Sequence, residues 1–163
     1  MAITALGDTT VHTTGEPPAV GDTAPDFTLT GGDFADVTRT PGTRTVLNVF
    51  PSIATGVCQA SVRRFNGLAA DLDDTDVLCV SNDLPFALAN FCGAEGIEGV
   101  VVGSGFRSDF GADYGLTMAD GNWRGLLARA VLVLDGDGTV LHTEVVPKIS
   151  QEPDYGAAIA ALG

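Results

Sequence analysis

The sequence predicts an α/β fold in which a mixed central sheet is flanked by helices. Three observations carry that prediction. Short apolar, β-branched runs recur at 45–50, 77–80, 100–102 and 130–134, each long enough for a buried strand and too short for a core helix. Between the first two runs the apolar period lengthens to three and four residues, as on one face of a helix. Asp135-Gly136-Asp137-Gly138 then separates two strand-like runs, a hairpin signal that adds antiparallel strands to the sheet.

Taken in order, residues 1–20 read as short polar β segments closed by Gly15 and Pro17-Pro18. Asp26 to Thr30 alternates, Gly31-Gly32 turns the chain, and Phe34 to Thr38 runs back as a hairpin. Thr45 to Phe50 has the signature of a central strand, ended by Pro51. Cys58, Val62, Phe65, Leu68, Ala69 and Leu72 mark an amphipathic helix over 58–72. A buried strand, Val77 to Val80, follows an acidic turn. Asp83 and Pro85 open a second amphipathic helix through Phe86, Leu88, Phe91 and Cys92, with Gly93 and Gly96 at its end. Val100 to Val102 is a strand and Ser108 to Tyr114 a short helix. Ala130–Leu134 and Thr139–Val146 form the second hairpin, and Pro153 to Leu162 closes the chain as a helix.

The 163 residues suit a single domain spanning 1–163, with 1–20 as an N-terminal β extension. A hydrophobic fraction of 45% is enough for a core, which excludes wholesale disorder. No apolar run approaches the ~20 residues that span a bilayer. The first residues lack the basic head and apolar stretch of a secretory signal, so a cytoplasmic protein is expected. Eight Lys plus Arg against 21 Asp plus Glu leave a net charge of −13. Such a chain is a poor partner for nucleic acid or for an anionic membrane surface, where affinity comes from phosphate neutralisation.

Cysteine usage says more. Cys58, Cys79 and Cys92 are odd in number, contain no CxxC pair, and stand apart from the two histidines, His12 and His142. A disulfide scaffold and a zinc site both fit poorly, which leaves one or more reactive thiols.

Cys58 follows a strand and Pro51-Ser52-Ile53-Ala54-Thr55-Gly56-Val57, so it falls in the first turn of a helix. Unpaired backbone N–H groups and the helix dipole favour an anion there, and a thiolate is one. Thr55 is placed to bring a hydroxyl beside the sulfur, and Pro51 to wall the site without offering an N–H. The competing reading makes Cys58 a small buried hydrophobe.

Thiolate enrichment alone gains a cysteine little. Lowering a thiol pKa from ~8.5 to ~6 raises the thiolate fraction about 30-fold, while the accompanying fall in nucleophilicity removes about 10-fold. A fast peroxide-reducing thiol therefore needs donors aimed at the oxygens as the O–O bond breaks. Arg129, enclosed by Leu126-Leu127-Ala128 and Ala130-Val131-Leu132, is the unusual cation of the chain. It is either part of such a site or a strand-end arginine reaching for water.

Other signals carry little. Gly103-Ser104-Gly105 lacks the third glycine of a dinucleotide loop, Ser108 standing in its place. Asp135-Gly136-Asp137 lacks the glycine and the glutamate that a calcium loop needs, Val140 and Val146 occupying those positions. His142 lies in a strand pattern with no orienting partner for a Cys–His hydrolase.

The segments PSIATGVCQASVRRFN, LCVSNDLPFALANFCGAEGI, ADGNWRGLLARAV and EPDYGAAIAAL together resemble the bacterial thiol peroxidase branch of the peroxiredoxins, atypical two-cysteine enzymes. The resemblance runs from about residue 20 to 162. It implies a thioredoxin-like fold with an N-terminal β-hairpin extension, and reduction of hydrogen peroxide and organic hydroperoxides. By the same resemblance Cys58 is the peroxidatic cysteine, Pro51, Thr55 and Arg129 shape and polarise its site, and Cys92 is the resolving cysteine. Cys79 matches a strand cysteine with no assigned step. Ala54 departs from the pattern, an aspartate commonly preceding the threonine. Also implied are thioredoxin as the external reductant, a homodimer, and no metal, flavin or haem cofactor.

The implied cycle takes Cys58 to a sulfenic acid and then to a Cys58–Cys92 disulfide. Both cysteines sit in helix patterns, whereas a disulfide requires Cα atoms roughly 4.4–6.8 Å apart. Local unwinding during the cycle is therefore expected. Against a thioredoxin-fold dithiol oxidoreductase stands the missing CxxC, and against a bacterioferritin-comigratory-type peroxidase the position of Cys92. A redox sensor, which binds a partner through a disulfide-dependent surface, is the alternative from a different class.

Overall fold

Strands and helices alternate through most of the computed structural model, which describes residues 1–163. β1 (Ile3–Leu6) and β2 (Thr9–His12) form their own antiparallel hairpin. β3 (Leu29–Thr30) and β4 (Asp36–Val37) are the second hairpin, shorter than the alternation at 26–30 and 34–38 predicts. Then come β5 (Arg44–Val49), α1 (Gly56–Ala69), β6 (Thr75–Ser81), α2 (Pro85–Glu95) and β7 (Val101–Ser104). α3 (Phe110–Asp113), β8 (Ala130–Leu134), β9 (Val140–Val145) and α4 (Tyr155–Ala160) complete the chain.

The large sheet has seven strands in the order β4-β3-β7-β6-β5-β8-β9. β5, β6 and β7 run parallel, while β8 lies antiparallel to β5 and β9 antiparallel to β8. The sheet is mixed, as expected, because α1 and α2 are crossovers and residues 135–139 form a tight turn. In that turn the Asp135 carboxylate accepts the N–H groups of Asp137 and Thr139.

Side-chain alternation divides the core between the two faces of the sheet. Val46, Val77, Cys79, Val131 and Val133 face α1, α2 and α4, where Val62, Phe65, Leu88 and Ala158 meet them. Leu47, Val49, Leu78, Val80 and Leu132 face the other way, towards Phe27, Phe110 and Tyr114. Val62 and Phe65 are fully buried, each contributing about 1.5–3 kcal/mol to holding α1 in place.

The structure narrows α3 to 110–113 within the expected 108–114, and changes three other helices. α1 stops at Ala69, and Leu72 still packs on the core after tighter turns at Asp71 and Leu72. α4 is confined to 155–160 within the expected 153–162. α2 runs past Gly93 and ends at Gly96, which takes the left-handed conformation (φ 64°) that needs no Cβ. Nor is α2 amphipathic as expected: only Pro85 and Leu88 are buried and Phe86 is exposed. Residues 86 and 88 project from nearly opposite sides of a helix, so no single face collects the apolar groups. No helix is long and apolar enough to cross a membrane.

Candidate functional site

β5 and β6 end side by side, Val49 opposite Val80, and the loop after β5 carries the site. Pro51 is buried and interrupts the strand. Thr55 is the N-cap residue of α1, in extended backbone (φ −97°, ψ 147°). Its hydroxyl donates to the Ser52 carbonyl at 3.2 Å, not to the sulfur. No side chain caps the first turn, so the N–H groups at the start of α1 have no side-chain acceptor.

Cys58, the third residue of α1, is fully buried. Arg129 immediately precedes β8 and is 1% exposed, so it does not reach for water. Its Nε donates to the Ile149 carbonyl at 2.8 Å, and its Nη2 to Cys58 Sγ at 3.3 Å. Nη1 is buried without any hydrogen-bond partner. A guanidinium with one N–H on a sulfur and another unpaired is poised to bind a second acceptor.

That acceptor has a place to sit. A cavity of about 170 Å³ is bordered by Arg129, Thr55, Val57, Leu6, Trp123 and Ile149. Leu6 belongs to β1, so the N-terminal hairpin forms one wall of the site. Its position is fixed by the Thr4 hydroxyl on the Val146 carbonyl and by the Ile149 N–H on the Ala5 carbonyl.

Behind the cysteine, the buried Ser61 hydroxyl donates to the Cys58 carbonyl, and Asn48 Nδ2 donates to Ser61 Oγ and Cys79 Sγ. Cys79 lies within β6, and burial pushes its thiol up to about 12, so it remains protonated and inert at neutral pH. Cys92, the other expected site thiol, is in α2 at the edge of the apolar cluster that holds Cys58. Burial raises its pKa as well. All three cysteines are free thiols.

Of the expected site residues, the structure brings Arg129 onto Cys58 and sets Thr55 on the cavity that Arg129 borders, while Pro51 lies buried at the end of β5. Sequence reasoning misses Ile149 and Leu6, which have no motif, Trp123, whose signal is its place in the segment ADGNWRGLLARAV, and Asn48, whose signal is an amide inside an apolar strand. Gly103, from the glycine pair set aside above, packs in β7 where a Cβ would meet Leu29 at 2.8 Å.

A family model described as Redoxin matches residues 19–159. The thiol peroxidase of Mycobacterium tuberculosis (strain ATCC 25618 / H37Rv) is 54% identical over 165 residues, covering 100% of this chain and 99% of that protein. The thiol peroxidase of Corynebacterium glutamicum is 50% identical over 164 residues, covering 99% of each. Among solved structures, a peroxiredoxin-like protein from Aquifex aeolicus superposes with a TM-score of 0.94 at 33% identity, covering 98% of this chain and 95% of that one.

Proposed function

The chain belongs to the Redoxin family, among its thiol peroxidases, and from that premise we propose that Cys58 reduces hydroperoxides and Cys92 resolves the product. One observation carries the assignment of Cys58: Arg129 gives one N–H to its sulfur, keeps Nη1 without a partner, and borders a cavity.

In the first step the Cys58 thiolate attacks the distal peroxide oxygen. An S–O bond forms, the O–O bond breaks, and sulfur is oxidised by two electrons while the leaving oxygen takes a proton to become water or an alcohol. The guanidinium beside the sulfur and the uncapped N–H groups of α1 stabilise the thiolate. Nη1 is available to the oxygen on which charge grows, the interaction that lowers the barrier. The Thr55 hydroxyl borders the same cavity and has to leave Ser52 to bind a peroxide oxygen.

In the second step the Cys92 sulfur attacks the Cys58 sulfenic acid; the S–S bond forms and water departs with the thiol proton. A dithiol reductant of the thioredoxin type then exchanges with the disulfide and is itself oxidised. Substrates are hydrogen peroxide and organic hydroperoxides. Leu6, Val57, Trp123 and Ile149 give the cavity an apolar lining, and a cavity of ~150 Å³ is enough to hold benzene. None of these steps requires a metal, flavin or haem. A homodimer is the expected assembly.

The test is turnover of hydrogen, alkyl and lipid peroxides with thioredoxin and its reductase as the reducing couple. Consumption that depends on Cys58 and on the dithiol supports the reading. One oxidation with no turnover in the presence of reductant refutes it.

A further inference from the structure

The Asp83 side chain has no part in the chemistry above, yet it joins both cysteine-bearing segments. Asp83 lies between the end of β6 and Pro85, the first residue of α2. Its carboxylate turns back across the adjacent ends of β6 and β5 to the loop after β5. Oδ1 accepts the Ser52 hydroxyl at 2.8 Å; Oδ2 accepts the Ile53 N–H at 2.7 Å and the Ser81 hydroxyl at 2.5 Å. Ser52 Oγ in turn accepts the Ala54 N–H. The Asp83 carbonyl accepts the hydroxyl of Ser104, a fully buried residue at the end of β7. No cation pairs with the carboxylate. Hydrogen bonds alone hold it, and two of them come from the loop that positions Cys58.

We propose that Asp83 is a positioning residue of the peroxide cycle: its carboxylate ties the loop leading into the helix of Cys58 to the start of the helix carrying Cys92, so that the two segments open together. The proposal rests on the two-cysteine reading above. Ser52 and Ile53 immediately precede the turn into α1, and anchoring them fixes where its first turn begins. α2 has few other anchors. Only Pro85 and Leu88 are buried, and an exposed Arg63–Glu95 ion pair holds its far end. Between the two helices lies a groove of about 490 Å³ bordered by Ile53, Gln59, Arg63, Asn90 and Phe91. Breaking the three carboxylate contacts frees the loop and the helix start in one event. The closed loop favours attack on peroxide, and the open one favours disulfide formation.

The test has two arms. Hydrogen exchange on reduced protein needs no peroxide. Asp83→Ala is expected to speed exchange about tenfold in both 51–58 and 84–92, leaving β5 and β8 protected. Asp83→Asn, which keeps one acceptor, is expected in between, and Ser52→Ala gives a smaller change in the same direction. Faster exchange in only one segment, in neither, or equally across the chain would overturn the coupling.

The second arm follows a single turnover by mass spectrometry. In Asp83→Ala, sulfenic acid formation slows while the ratio of sulfinic acid to disulfide falls, by about threefold, because resolution now competes better with over-oxidation. Equal slowing of both steps would overturn the proposal. Should Asp83→Ala not fold, Ser52→Ala decides both arms. A parent protein that forms no Cys58–Cys92 disulfide would refute the proposed cycle but leave the exchange result standing.

Discussion

Replacing Arg129 tests the site where its geometry is most specific. The contact between Nη2 and Cys58 Sγ is 3.3 Å, and two unit charges at that separation attract by about 5 kcal/mol at an effective dielectric of 20. That figure overstates the effect on rate, because stabilising the ground-state thiolate also lowers its nucleophilicity. The part that survives in the rate is what Nη1 adds when negative charge grows on the peroxide oxygen. Loss of one such donor costs about 2–4 kcal/mol, or roughly 30- to 1000-fold in rate. Arg129→Ala should show a fall in kcat/KM within that range, measured by stopped-flow fluorescence of Trp123, the single tryptophan, which borders the same cavity. Arg129→Lys keeps the charge but not the planar fork, so its ammonium cannot serve the sulfur, the Ile149 carbonyl and the peroxide together. An intermediate loss of about tenfold is expected for it. Arg129→Met separates catalysis from folding: urea unfolding should place its stability within about 1 kcal/mol of the parent, since the desolvation penalty of burying a guanidinium is removed along with its contacts. A rate within threefold of the parent for Arg129→Ala, or a stability loss in Arg129→Met as large as its loss of rate, would refute the assignment.

Three further outcomes are expected. Cys58→Ser should have no peroxidase activity, and turnover at even a tenth of the parental rate in a coupled assay would exclude Cys58 as the nucleophile. Cys92→Ser should consume about one equivalent of peroxide and stop as a sulfenic acid prone to over-oxidation, whereas Cys79→Ser should keep near-parental turnover; a dominant Cys58–Cys79 peptide in non-reducing digests would show Cys79 to be the resolving thiol. Burial raises the Cys79 thiol from 9.0 to about 12 and Cys92 in the same direction, so the unfolded chain releases these protons at lower pH than the fold does. Their contribution to stability is therefore present below pH 9 and declines as pH rises towards 12, by at most about 1.4 kcal/mol per pH unit for Cys79. Tyr114 and Tyr155, also raised by burial, add to the decline. Cys79→Ala should flatten it in urea titrations at pH 8 and 10.5, and identical declines in parent and variant would refute that account.

What the sequence made legible is what local periodicity encodes. β5, β6 and β8 follow from short continuous apolar runs, and α1 from an apolar period of three to four residues. Arg129 stood out because a cation inside an apolar stretch conflicts with its neighbours, and such conflicts mark functional sites. The end of α2 was ambiguous because Gly93 and Gly96 both offer a stop. Gly96 takes it, since the buried Ile97 closes the turn with its N–H on the Cys92 carbonyl. A glycine inside a helix costs only about 1 kcal/mol, too little for Gly93 to end it against that packing. Asp83 read as a helix opener, but Leu84 is the N-cap residue, and the carboxylate instead reaches residues 52 and 53. That contact exists because parallel pairing of β5 with β6 aligns their ends, which no local pattern records. The same holds for the Ile149 carbonyl on Arg129 and for Leu6 on the cavity wall, each brought in by tertiary docking.

The two cysteine-bearing helices are anchored unequally, and this decides where the expected unwinding falls. Cys58, Ser61, Val62 and Phe65 are buried along α1, and the Ser61 hydroxyl holds the Cys58 carbonyl from within the core. Unwinding beyond the first turn of α1 would expose those groups and break that bond. In α2 only Pro85 and Leu88 are buried, Phe86 and Leu84 already face solvent, and Gly93 sits inside the helix beside Cys92, where it weakens the last turns. Bringing the two sulfurs together by melting α2 therefore breaks fewer buried contacts than melting α1 to the same extent. The ion pair that must separate, Arg63 with Glu95, adds little resistance, since it is exposed and worth at most about 1 kcal/mol. In the proposed cycle, most of the displacement therefore falls to Cys92. The rigid, buried Cys58–Arg129 pair keeps its geometry for the peroxide step until the loop at its N-terminal side lets go.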